Sequence, residues 1–88
     1  MNKVVLGSIA MDLKRVAMGY YRGSNATAER FLQEALSRRS EVDGEKLKPY
    51  LKKLLVKIET LSKESDPQKK AEDALMYSTL FQNAALAS

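Results

Sequence analysis

The chain has no cysteine, no histidine and no tryptophan among its 88 residues. Without thiols there is no disulfide framework, no thiolate nucleophile and no cysteine-held zinc; without imidazole there is no Ser-His triad and no histidine ligand for a metal. Proline is almost as scarce, with Pro49 and Pro67 alone, and glycine stands only at positions 7, 19, 23 and 44. Long apolar runs are missing too. None approaches the ~18 residues of a membrane span. The run from Val4 to Met11 is too short for a secretory segment, is preceded only by Lys3, and is soon followed by Asp12 and Lys14. These absences lead to the expectation of a cytosolic protein that neither crosses nor enters a membrane.

What remains is 44% hydrophobic and 30% charged, the balance of a folded, water-soluble chain rather than a disordered one. Its length suits one domain over residues 1–88, burying about 60 to 65% of the surface of the unfolded chain. At ~0.05 to 0.15 kcal/mol per residue, net stability should be about 4 to 13 kcal/mol, small enough for a second subunit to matter. The net charge of +4 and a pI near 9.4 permit a polyanionic partner without requiring one.

The strongest pattern lies in residues 47–61. Leu47, Tyr50, Leu51, Leu54, Leu55, Ile58 and Leu61 recur at steps of three and four, one stripe of a 3.6-residue helix. Such a stripe needs cover, because a lone helix of this length is marginal in water. Residues 3–21 supply another helix, with Leu6, Ile9, Ala10, Leu13, Val16, Ala17 and Tyr20 inward. Gly23 suits the left-handed position that ends it, and Ser24 or Asn25 suits the cap of the next helix, 25–42, whose inward set is Ala28, Phe31, Leu32, Ala35, Leu36 and Val42. Arg39 falls within that inward arc in the last turn, where its long stem reaches outward and its cation suits the helix C-terminus.

Asp43-Gly44 marks a turn, and a third helix over 44–63 follows. Pro49 leaves its start open between Gly44 and Lys48, since proline is tolerated only in a first turn. Before the fourth helix, 67–87, Asp66 is a capping residue, Pro67 takes the first helical position, and Ser65 with Gln68 has the spacing of a capping box. Ala71, Ala74, Leu75, Tyr77, Ser78, Phe81, Ala84 and Ala85 form its broad inward face. Short connections between consecutive helices make antiparallel neighbours, so the pattern predicts an all-α, up-down-up-down four-helix bundle.

The first and fourth helices own more apolar surface than one bundle core uses. Val4, Met11 and Met18 recur at intervals of seven on the outer side of the first helix beside Tyr21, while Met76 and Leu80 widen the fourth. Those six residues are the expected centre of a protein interface, in a homodimer or with another protein partner.

A second candidate is a basic face formed by Arg38, Arg39, Lys46 and Lys48 at one end of the bundle and Lys52, Lys53 and Lys57 along the third helix. It is suited to weak, non-specific contacts with nucleic-acid phosphates, but Glu41, Asp43 and Glu45 dilute it, and no outward aromatic is expected among its lysines. Catalysis has less support. The carboxylate pairs lie at helix starts and turns, where capping explains them; the inward Glu-x-x-His set of a di-iron bundle and the frame of a phosphate-binding loop are both missing. No catalytic residue, metal or cofactor is expected, and the chain reads as a binding protein rather than an enzyme.

Overall fold

The computed structural model describes residues 2–87, with the side chain of Lys46 outside the described part. It is an all-α bundle of four helices: α1 (Asn2–Tyr21), α2 (Asn25–Arg38), α3 (Pro49–Ser62) and α4 (Pro67–Ala87). The outer helices of the sequence are the long ones, with 20 residues in α1 and 21 in α4 against 14 each in α2 and α3. At 1.5 Å per residue, α1 and α4 span about 30 Å and the inner two about 21 Å, so neither α2 nor α3 covers the full length of the other pair.

Three contacts fix α1 and α4 as antiparallel neighbours. The Ser78 hydroxyl donates to the Ala10 carbonyl at 2.7 Å, the Lys70 ammonium lies 5.6 Å from the centre of the Tyr20 ring, and the Ala85 methyl faces Gly7. On the other flank of α1, α2 runs antiparallel, with Ala28 against Gly19 and Arg38 bonded to Asp12. Tyr50 shares a hollow with Ala84 and Ala87, and Leu61 shares one with Asp73 and Tyr77, which makes α3 antiparallel to α4. The largest side chains that lie wholly inside are Leu6, Ile9, Leu13 and Val16 from α1, Leu32 from α2, Ile58 from α3 and Phe81 from α4. Alanines fill the α1–α4 seam, where Ala10, Ala17, Ala71, Ala74 and Ala85 let the two backbones approach.

The ends follow local chemistry. After α1, Gly23 takes φ +77°, and the amides of Gly23 and Ser24 return to the carbonyls of Tyr20 and Gly19, closing the last turn in a Schellman arrangement. Ser24 precedes α2 but makes no side-chain cap; its carbonyl instead accepts from the Ala28 amide. Asp66 accepts from the Gln68 amide at 3.1 Å ahead of Pro67, whereas the Ser65–Gln68 reciprocal pair does not form: the Ser65 amide donates to Glu64.

Two boundaries differ from the sequence pattern. The second α-helix stops at Arg38 rather than at residue 42, tightens into a single 3-10 turn over Arg39–Glu41, and leaves Val42 extended. The third begins at Pro49, after another 3-10 turn over Gly44–Lys46 and an extended Lys48, because the residue before a proline is pushed out of the helical region. The Asn2 side chain clamps this crossover, donating to the Asp43 carbonyl at 3.1 Å and accepting from the Asp43 amide at 2.8 Å.

Candidate functional site

The six residues expected at an interface are on the surface, with Met18 half-buried and Val4, Met11, Tyr21, Met76 and Leu80 exposed. They do not make one patch. Met11 lines a shallow groove of about 400 Å³ between α1 and α4, together with Lys14, Leu75, Thr79 and Gln82. Met18 instead borders the α1–α2 side, beside Arg15, Gly19, Thr27 and Phe31. At 100° per residue, Met76 and Leu80 stand roughly a quarter-turn or more around α4 from Leu75. Leu75, expected inward, is 40% exposed. The broad apolar arc of α4 is wider than α1 and α3 together cover, and Leu75 is the residue at its edge. Leu86 is exposed as well, so α4 alone presents four large apolar side chains to solvent.

The basic candidates are divided. Because α2 ends early, Arg38 lies midway along the bundle and not at its end. Its Nε donates to the Asp12 carboxylate at 2.8 Å, a bond that holds the Arg38 pKa above its usual value. Asp12 is only 3% exposed, with Arg15 at 3.8 Å as its second cation. Arg39 reaches outward as expected, donating to the Leu36 carbonyl and to Glu59 at 3.4 Å. Arg15 and Arg30 lie over the Phe31 ring at 5.3 and 5.9 Å. By contrast Lys48, Lys52, Lys53 and Lys57 are exposed and make no ion pair among the described residues. An aromatic also stands among them: Tyr50, expected in the inward stripe of α3, is 52% exposed. Its place in the first turn, beyond the reach of α2, leaves that ring uncovered.

A polar cluster unforeseen in the sequence joins α1, α2 and α4. Lys70 is 7% exposed; its ammonium meets Glu29 at 2.7 Å, and the Tyr20 hydroxyl donates to the same carboxylate. Burial disfavours the Lys70 charge, but its bonds to Glu29 and Tyr20 outweigh that, and the pKa is raised. Burial likewise pushes Glu29 up, yet the bonds from Lys70 and Tyr20 win and hold it below the ordinary value of 4.5. Burial and donation to Glu29 push Tyr20 up. Each polar partner is satisfied, and no buried side-chain nitrogen or oxygen among the described residues lacks a hydrogen bond, so the cluster serves as a clamp.

Its pH dependence follows. A carboxylate with a depressed folded pKa stabilises fully above its unfolded value and loses that contribution as pH falls through the folded one; a lysine with a raised pKa loses its contribution only at alkaline pH. The difference in thermal midpoint between the native chain and Glu29→Gln is therefore expected to hold steady from about pH 5 to 9 and to close toward pH 3. A gap that persists undiminished in acid would show that the charge of Glu29 does not support the clamp.

Among the described residues no group of acidic side chains is arranged to hold a metal ion, and no helix is long and apolar enough to cross a membrane. Comparison with protein-family models, with curated proteins and with solved structures finds no match to this chain.

Proposed function

We propose that the protein works by binding, through the outer faces of α1 and α4, in the first place to a second copy of itself and otherwise as a subunit or adaptor for another protein. The observation behind this reading is the set of large apolar side chains that the bundle leaves wet on those two helices: Val4, Met11 and Tyr21 on α1, and Leu75, Met76, Leu80 and Leu86 on α4. Methionine and tyrosine are residue types that protein interfaces favour, and a symmetric dimer uses the same patch twice. The groove holding Met11 and Leu75 gives a second helix a seat, with Lys14 at its rim.

Sedimentation equilibrium tests it. At tens of micromolar the native chain should be dimeric, and Met11→Glu with Leu75→Glu, the two apolar residues that share the groove, should weaken association by about 100-fold, since each tenfold loss needs only ~1.4 kcal/mol. Helical circular dichroism is expected to stay unchanged. Met76→Glu with Leu80→Glu, on the other flank of α4, tells which side of that helix is used. A native chain that stays monomeric at these concentrations overturns the self-association reading.

A further inference from the structure

The surface of α3 carries a charge imbalance that the α1–α4 groove does not involve. Residues 46–58 hold five lysines and no acidic residue. Lys63 pairs with Glu59 and Lys69 with Asp73, whereas Lys48, Lys52, Lys53 and Lys57 stand exposed without an ion pair among the described residues. Lys3, Lys14 and Arg22 form no ion pair there either, but they are spread along α1 and its end rather than gathered on one short stretch. Lys53 and Lys57 are one helical turn apart, a like-charged spacing that works against the helix itself. Folding gains nothing visible from this arrangement.

The exposed Tyr50 gives it a shape. Tyr50, Lys53 and Lys57 are spaced i, i+3 and i+7, so they lie along one line of α3. Lys48 joins Tyr50 at the rim of a hollow of about 250 Å³ at the bundle end, over Leu6, Leu47 and Leu51. An aromatic side chain beside three ammonium groups offers what a flexible phosphodiester strand needs: point charges for successive phosphates and a platform for an unstacked base. Duplex DNA meets the charges but hides its base faces within the stack. An acidic protein segment meets the charges and has no particular use for the ring. Lysine, a compact point charge, does not present the planar fork that reads guanine edges, so the contacts carry no sequence preference.

The geometry points to a binding surface for single-stranded nucleic acid on α3, formed by Lys48, Tyr50, Lys53 and Lys57 and indifferent to base sequence. It lies apart from the α1–α4 groove and stands whether or not the chain self-associates.

Fluorescence anisotropy with a labelled oligothymidylate of about 20 nucleotides tests the surface. Three neutralised phosphates at a slope of about −0.7 each give a total near −2, so affinity should fall roughly 20-fold between about 50 and 200 mM salt. Tyr50→Ala should weaken binding about tenfold at both salt concentrations while leaving the slope alone, and Tyr50→Phe should restore it. Lys53→Glu with Lys57→Glu should flatten the slope and abolish binding at the higher salt. Circular dichroism confirms that each variant keeps its helices. No binding at low salt overturns the proposal, as does a Tyr50→Ala variant that binds like the native chain. Displacement of the strand by duplex DNA or polyglutamate as readily as by unlabelled oligothymidylate also overturns it, because the surface would then recognise charge alone.

Discussion

Phe81→Ala is expected to remove most of the stability of the fold. Phe81 is wholly buried and is the largest of the fully enclosed side chains. It belongs to the same core cluster as Leu13, Leu32 and Ile58, so its removal opens a void in a core to which all four helices contribute. Truncating such a phenylalanine costs about 3 to 5 kcal/mol, the transfer loss plus an unfilled cavity. Against a total of about 4 to 13 kcal/mol, that leaves a marginal fold or none. For a chain of this size the thermal midpoint should drop by roughly 15 °C or more. Phe81→Leu, which keeps much of the volume, should lose far less. Urea titration of both variants measures the difference; a loss below about 1 kcal/mol for the alanine variant would mean that the core does not depend on this ring.

A leucine at position 19 should produce the next largest loss. A Cβ added to Gly19 would stand 2.9 Å from the Ala28 Cβ and 3.0 Å from both the Cα and the amide nitrogen of Ala28. Backbone cannot swing aside as a side chain can, so α1 and α2 would have to separate where they cross. Overpacking of this kind costs typically 1 to 3 kcal/mol, and a leucine, with three further carbons to place, should reach the upper end of that range. Gly19→Ala is a finer test, since alanine favours a helix by about 1 kcal/mol over glycine and recovers part of the steric loss. The expected order of stability is glycine, then alanine, then leucine. If alanine proves more stable than glycine, the two helices are free to shift by the few tenths of an ångström that the contact requires.

Much of the architecture was legible because it rests on periodicity. The existence and order of the four helices, most of each inward stripe, the left-handed Gly23 and the Asp66–Pro67 start are local properties, and each is found where the pattern puts it. What escaped depends on partners remote in sequence. No breaker separates Arg38 from Val42, so nothing in the pattern stops α2 there; in the fold Arg38 is drawn to Asp12, 26 residues away. Lys70 and Glu29, 41 residues apart, are both ordinary surface residues by type. Tyr50 and Leu75 belong to apolar stripes, but a stripe does not say how far the neighbouring helix extends. The placement of Met11 away from Met76 and Leu80 has the same origin, because a helical wheel gives an angle and not the positions of the neighbours.

The cross-helix pairs have one more consequence. Four rods joined by short turns can be wound in a ring in either sense, and greasy stripes meet almost equally well in both. Asp12 lies on the flank of α1 that looks toward α2, Lys70 reaches from α4 to Glu29 on α2, and Arg39 ties the turn after α2 to α3. In the mirror arrangement α4 would occupy the flank beside Asp12, turning its carboxylate toward alanine-rich surface and leaving it without Arg38. The Arg38–Asp12 bond thus favours the observed winding over its mirror image, and the other two attachments tie α4 to α2 and α3 to the turn that follows α2.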